Sequence, residues 1–343
     1  MWSDLSTAFT GKRILVVGGT GSIGAGLTRA LLELKPAVVR VLSNDENGLF
    51  EMQRDLAGRP QLRFLLGDVR DRERLALALR DIDIVFHAAA LKHVPTSEYN
   101  PFEVVQTNVI GTQNLLETAI WRGVEKFVFI STDKAVNPLS TLGASKLLCE
   151  KLVLDAASYG APTAFSCVRF GNVLGTRGSV TNVFISQIAN GGPVTITERT
   201  MTRFVMLQEE AIELLLKSAG TSLGGEIFVL KMNALRILDL AEVMIEEFAP
   251  KGGYKPESIR IEKVGIRPGE KLFEELMTQD EVSRCFESED LYVILPFHEA
   301  WRGYLGFKPG RLSRYTSNDV NLLTREAVRG LCRKALIHHH RAT

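Results

Sequence analysis

Residues 18–24 read Gly18-Gly19-Thr20-Gly21-Ser22-Ile23-Gly24, directly after the β-branched run at 14–17 and directly before the helical pattern at 25–34. A strand that must turn at once into a helix through glycines leaves the chain few options. Gly18 and Gly21 allow the tight turn and a close backbone approach, and Gly24 lets the helix pack on the strand. The first turn of such a helix presents its N–H groups to a pyrophosphate. Strand before and helix after turn a common glycine pattern into a credible dinucleotide site.

The rest of the first half repeats the same alternation. Apolar runs at 14–17, 38–42, 63–66, 82–86, 127–130 and 165–169 read as buried parallel strands, with helical stretches at 25–34, 46–56, 72–79, 101–122 and 146–157 between them. This predicts an α/β fold, a doubly wound parallel Rossmann-type sheet with a second, smaller substrate-binding lobe. Past residue 172 the texture changes. Residues 173–204, rich in Gly, Thr, Ser and Arg, read as a loop-bearing lid, and 250–275 is a second basic, glycine-containing stretch. A helix at 209–218 and a strand at 226–231 are expected to rejoin the main sheet. The expected organisation is 1–172 with about 205–235 as dinucleotide-binding domain, 173–204 and 236–300 as substrate-binding lobe, and 301–343 as a tail for packing or oligomer contact. An amphipathic helix is expected at 322–337, and His338, His339 and His340 read as a solvated end.

Composition narrows the partners. The 343 residues are 45% hydrophobic and 24% charged, ordinary for a globular enzyme, and the net charge of +1 gives no reason to expect nucleic acid or an anionic membrane. Cys149, Cys167, Cys285 and Cys332 show no paired spacing, so reduced thiols in a cytoplasmic protein are expected, with no metal site. The first ten residues lead into a strand without a leader pattern, and no run reaches the length of a membrane span.

The end of the second strand reports on the ribose. An acidic residue there favours NAD; here it holds Ser43 and Asn44, with Asp45 one step later. Neutral donors tolerate a 2′-phosphate, so the reading leans to NADP, while Asp45 could swing in and restore NAD. Asp68-Val69 after the third strand suits an adenine contact. The most loaded block is 131–146, where Thr132, Asp133 and Lys134 are adjacent and Lys146 follows Leu142 by four residues.

Several segments together resemble the extended short-chain dehydrogenases: 18–24, Ala88-Ala89-Ala90-Leu91-Lys92-His93-Val94-Pro95, Glu98-Tyr99-Asn100-Pro101, Thr107-Asn108-Val109-Ile110-Gly111-Thr112 and 131–146. More closely, with Arg169-Phe170-Gly171-Asn172, Met201-Thr202-Arg203-Phe204 and Arg267-Pro268-Gly269-Glu270-Lys271, the chain is similar to the inverting UDP-N-acetylglucosamine 4,6-dehydratases of the polysaccharide-biosynthesis group. The resemblance covers most of residues 11–295. It implies a bound, recycled NADP or NAD and a UDP-N-acetylhexosamine substrate. Hydride leaves C4, water is eliminated across C5 and C6, and hydride returns to C6. A homo-oligomer is also implied.

The roles implied are specific. Thr132 hydrogen-bonds the C4 hydroxyl, Asp133 is the acid and Lys134 the base of the elimination, and Lys146 holds the nicotinamide ribose. A base role requires a lowered Lys134 pKa, for which Lys146 is the expected cation. Leu142 stands where the family's Tyr-x-x-x-Lys pattern has tyrosine, so the C4 proton must leave through Thr132 or Lys134. Besides Gly18, Thr20, Gly21, Ser22, Ile23, Gly24, Ser43, Asn44, Asp45, Asp68 and Val69, the cofactor contacts expected are Ala88, Ala89, Ala90, Lys92, Asn108 and Lys146. On the substrate side they are Lys92, Asn172, Arg177, Arg203, Arg267 and Glu270. A nucleotide-sugar epimerase or reductase on the same scaffold, or a catalytically silent dinucleotide-binding homologue, are the alternatives.

Overall fold

Short runs of valine, isoleucine, leucine and phenylalanine build the spine of the molecule: β1 (Arg13–Val17), β2 (Val38–Ser43), β3 (Leu62–Leu66), β4 (Ile84–His87), β5 (Lys126–Ile130) and β6 (Ala164–Arg169). Our computed structural model describes residues 2–160, 162–296 and 306–336; His338, His339 and His340 lie outside them. Shorter strands follow: β7 (Asn172–Val173), β8 (Val194–Ile196), β9 (Thr202–Met206), β10 (Glu226–Leu230), β11 (Asn233–Arg236), β12 (Ile261–Lys263), β13 (Cys285–Glu287), β14 (Leu291–Ile294) and β15 (Lys308–Pro309). The large sheet runs β15-β13-β14-β10-β6-β5-β4-β1-β2-β3. From β3 to β10 every pairing is parallel, while β14, β13 and β15 add on antiparallel. Residues of β1, β4 and β5 are almost wholly buried, as strands covered on both faces must be.

The strand order reverses between β1 and β4, which opens a crevice at the carboxyl ends of the strands. The glycine loop after β1, the 88–92 segment after β4 and the 131–135 segment after β5 all emerge there. This is the doubly wound α/β arrangement expected.

Four sequence readings need correction. Residues 173–204, read as a loop-bearing lid, hold more regular structure than that, since they contain the helix Val180–Ala189, strand β8 and the start of β9. Their apolar residues, among them Leu174, Phe184, Ile188, Val194 and Ile196, make a second core with the helix Ile237–Phe248. β13 and β14, read as part of the substrate-binding lobe at 236–300, belong to the large sheet. The helix carrying Lys146 begins five residues earlier, at Thr141, because the Ser140 hydroxyl caps it by accepting from Gly143 N at 3.1 Å. The single helix expected at 101–122 is interrupted by a π turn, Val105–Ile110. There the Asn108 carbonyl accepts from the Thr112 hydroxyl at 2.5 Å and the Cys149 thiol at 3.1 Å, which disturbs the regular ladder. In the tail, the helix Arg325–Leu336 seats Val328, Cys332 and Leu336 in the second core.

Candidate active site

The crevice is shaped first by glycine. Gly18 has φ +77°, and a Cβ there would stand 2.6 Å from Ala89 N, so the loops after β1 and β4 meet only because the side chain is absent. The helix Ser22–Glu33 that follows has Gly21 as N-cap, with no side chain closing its first N–H groups. Those donors face a cleft of about 560 Å³. Gly18, Thr20, Gly21, Ser22, Ile23, Gly24, Ser43, Asn44, Asp45, Asp68, Val69, Ala88, Ala89, Ala90 and Lys92 line it, together with Thr132, Lys134, Leu142, Lys146, Asn172 and Arg177.

At the ribose end the polar groups are already arranged. Thr20 Oγ1 and Ser43 Oγ share a hydrogen bond of 2.7 Å, and Asn44 Nδ2 donates to Asp68 Oδ2 at 3.2 Å. Asp45 caps the helix Glu46–Asp55, accepting from Gly48 N at 3.0 Å. Hydrogen bonds from Arg70 hold the Asp68 carboxyl below the usual aspartate range, against the opposing effect of burial.

At the other end β5 delivers Thr132, Asp133 and Lys134. A Cβ on Gly143 would lie 2.2 Å from the Lys134 carbonyl oxygen, so this glycine lets the helix Thr141–Ala156 press onto the 133–135 turn. Leu142 and Lys146, one turn apart on that helix, then share the cleft with Lys134. Thr132 Oγ1 donates to Asp133 Oδ1 at 2.9 Å, and Lys134 Nζ donates to the same oxygen at 3.0 Å. Asp133 is fully buried, does not line the cleft, and its Oδ2 has no hydrogen-bond partner among the described residues. Lys146 Nζ donates to the Ile130 carbonyl at 2.7 Å and sits over the Phe129 ring, and burial lowers its pKa.

Lys134 departs from expectation. Burial does pull its pKa down, but the charges of Asp133 and Glu274 outweigh burial and the repulsion of Arg203, so the ammonium form is favoured. Lys146 is not the cation acting on it.

Sequence reasoning missed Glu274, a buried carboxylate 3.5 Å from Lys134 Nζ. It lies in an apolar stretch, Leu272-Phe273-Glu274-Glu275-Leu276, and nothing local marks it as part of a site. His87 was missed as well. It is fully buried, bonds Thr112 Oγ1 at 2.9 Å, and burial, with the Lys146 charge, drives its pKa down to about 3.

Not every expected contact reaches the cleft. Asn108 is buried and holds the 88–92 segment from behind, pairing with both backbone groups of Leu91 and with Ser145 Oγ. Arg203, on β9, spends its guanidinium on the carbonyls of Thr202, Lys271 and Leu272. Arg267 and Glu270 close a turn on each other and stand off the cleft. Arg177 reaches back to the Thr20 carbonyl and takes Ser22 Oγ on its own N–H at 3.1 Å, and Lys92 Nζ bonds the Arg177 carbonyl at 2.7 Å. Asn172 lines the cleft, and its Oδ1 has no hydrogen-bond partner among the described residues.

This constellation falls within residues 14–296, which match the sequence pattern of the family described as polysaccharide biosynthesis protein. The chain belongs to that family. Within the polysaccharide biosynthesis family it is similar to an uncharacterized membrane protein of Methanocaldococcus jannaschii, 50% identical over 97% of this chain and 99% of the relative. It is also similar to a UDP-N-acetylglucosamine 4,6-dehydratase (inverting) of Campylobacter jejuni, 42% identical over 84% of each chain. Among solved structures, Pen from Bacillus thuringiensis superposes with a TM-score of 0.88 at 41% identity, covering 95% of this chain and 98% of its own. DesIV of Streptomyces venezuelae, a dTDP-glucose 4,6-dehydratase with NAD and TYD bound, gives 0.69 at 26% identity, covering 76% and 86%. Among the described residues no helix is long and apolar enough to cross a membrane, and no group of His, Cys, Asp and Glu is set to hold a metal ion. The four cysteines are free and buried.

Proposed function

We propose that this chain dehydrates a UDP-N-acetylhexosamine, UDP-N-acetylglucosamine first among them, to a 4-keto-6-deoxy sugar with inversion at C5. The observation that carries the reading is that Thr132 and Lys134 line the same cleft as the glycine loop and are joined from behind through the buried Asp133 carboxylate. Eliminating water needs an acid and a base side by side. Epimerisation at C4 expels no water and needs no such elimination pair, only a group that takes and returns the O4 proton. The similarity to the Campylobacter jejuni dehydratase supports the same choice.

The cleft residues fit a nicotinamide dinucleotide. The uncapped first-turn N–H groups suit its pyrophosphate, Gly18 gives backbone access, and Lys146 stands near the far end. With the Asp45 carboxylate engaged in capping a helix, Ser43 and Asn44 leave room for a 2′-phosphate, so NADP is favoured over NAD. Bound there, the cofactor supplies the reversible redox chemistry at C4 and C6.

The chain's own groups do the proton work. Thr132 takes the place of the missing phenol, passing the O4 proton along its 2.9 Å hydrogen bond to Asp133. Asp133, thereby loaded behind the cleft wall, returns the proton through the Thr132 hydroxyl to the departing C6 hydroxyl, so the proton lost from O4 leaves in the water formed. Lys134, in the fraction that holds a free amine, takes the C5 proton and gives it up to solvent; when hydride returns to C6, C5 regains a proton from solvent on the opposite face. Leu142, 4% exposed, keeps the wall between Thr132 and Lys146 dry.

Incubation with UDP-N-acetylglucosamine and NMR of the product tests the reading. A 4-keto-6-deoxy product is expected; a C4 epimer, or unchanged sugar despite measurable binding, overturns it. Lys134→Ala is expected to slow dehydration by about 10²–10⁴-fold with cofactor binding retained. A variant at full rate would remove Lys134 as base.

A further inference from the structure

Lys134 is held from two sides. Asp133 Oδ1 is 3.0 Å from its ammonium nitrogen, and Glu274 Oε1 approaches from the opposite segment at 3.5 Å. Glu274 is only 2% exposed, and its Oε2 has no hydrogen-bond partner among the described residues. Its backbone is pinned: Glu274 N donates to Ser317 Oγ at 3.0 Å, and its carbonyl accepts from Ser317 N at 2.9 Å. The other charges near it are Arg203, with Nε at 3.8 Å, and Lys271, with Nζ at 3.9 Å. Lys271 is engaged with the Val136 carbonyl and Lys146 with that of Ile130, while Glu275 turns away to Arg314 and Asn137. Burial, with the charge of Asp133, pushes the Glu274 pKa up against the pull of Lys134, Arg203 and Lys271. A carboxylate held this far from water, with an oxygen that accepts no hydrogen bond among the described residues, is expensive unless a charge beside it makes use of it.

We propose that Glu274 is a positioning residue for Lys134: its carboxylate aims the lysine amine from the 264–275 segment and stabilises the ammonium that forms when the amine takes the C5 proton. The inference rests on the dehydratase reading and deepens it. Once Asp133 carries the O4 proton it is neutral, and its hold on Lys134 weakens. Glu274 is then the carboxylate that remains within ion-pair distance of the charged amine. Its place resembles that of the buried carboxylate behind a catalytic histidine, which orients the base and stabilises its protonated form without touching substrate. In the resting site the same carboxylate, acting with Asp133 against burial and Arg203, holds the Lys134 pKa above the ordinary lysine value.

The test is Glu274→Gln, which keeps the shape and removes the charge. Lys134 is labelled with acetic anhydride across a pH series, and its modification is read by mass spectrometry; the side chain is 24% exposed and only the free amine reacts. The labelling midpoint is expected to fall by about one pH unit, with Glu274→Asp in between. In the loaded enzyme the acid limb of kcat moves to lower pH by a similar amount, because less alkali is needed to free the amine. Altered thermal stability with an unmoved midpoint and limb would reduce Glu274 to a counter-ion for Arg203 and Lys271 and overturn the proposal. If Glu274→Gln does not fold, the midpoint of Glu274→Asp decides it alone, a fall upholding the proposal and an unchanged value overturning it. Labelling needs no turnover, so a wild-type protein that makes no keto sugar sinks the dehydratase reading, while the midpoint still decides whether Glu274 sets the ionisation of Lys134.

Discussion

At the residue scale, the site is built from groups whose ionisation the fold controls rather than from unusual residue types. His87 shows this away from the elimination pair. It closes β4 against Phe127 and Phe129, and its Nδ1 has no hydrogen-bond partner among the described residues, so a proton on it meets no counter-charge there. Its folded pKa of about 3 lies below the ordinary 6.5, so the unfolded chain binds the proton first as pH falls. Stability from neutral His87 is therefore intact above about pH 6.5 and declines steadily toward pH 3. Chemical denaturation should show about 2–3 kcal/mol lost through this residue between about pH 6.5 and pH 4.5. His87→Phe should lose that much less over the same interval, and equal acid sensitivity in both proteins would contradict the assignment. None of this was legible beforehand, since histidine ending an apolar run has no periodicity to betray its surroundings. Thr132, Asp133 and Lys134 were legible because they are contiguous, and Lys146 because it lies one turn from Leu142 in the same short block, which the packing of their helix onto the 133–135 turn then brings to the cleft. Glu274 lies 140 positions further on, and only packing brings it to Lys134.

At the element scale, one buried cluster fastens three elements behind the site. Arg169 at the end of β6 makes paired hydrogen bonds to Glu150, on the helix Thr141–Ala156, at 2.6 and 2.7 Å. Both oxygens of Glu281, on the helix Gln279–Ser283, accept from the same guanidinium at 2.8 Å. The bidentate geometry suits arginine and would not suit lysine. Arg169→Ala leaves two buried carboxylates without a cation, and unfolding free energy by urea titration should fall by about 3–5 kcal/mol. A loss below about 1 kcal/mol would mean that water enters and the cluster is not sealed. The same helix explains an error of boundary. The helix was expected only from 146, and the turn formers Asn137, Pro138, Ser140 and Gly143 hide its true start: Ser140 is its cap and Gly143 is required by contact with the Lys134 carbonyl. Residues 173–204 misled in the same way. Their threonines, serines and glycines punctuate elements of three to ten residues, too short for a periodic signal to dominate.

At the scale of the whole molecule, the cleft is where the parallel sheet and the second core meet, and ligand binding should be felt as global stability. Saturating cofactor at about a hundred times its dissociation constant adds about 2.7 kcal/mol. With Ser43 and Asn44 at the ribose end and Asp45 engaged as a helix cap, NADP should raise the melting temperature more than NAD at equal concentration, by differential scanning calorimetry. A larger rise with NAD would mean that Asp45 leaves its cap for the ribose. The parallel strands and the glycine loop were determined by the sequence itself, because they follow from short-range rules: apolar runs too short for helices, and glycines where a side chain would clash. The tertiary structure alone decided that Lys134 lies between two carboxylates, that Arg203, Arg267 and Glu270 stand off the cleft, and that residues 173–204 fold around a second core. Those facts depend on contacts between residues tens to more than a hundred positions apart, where burial and neighbouring charge set the outcome and no local pattern records them.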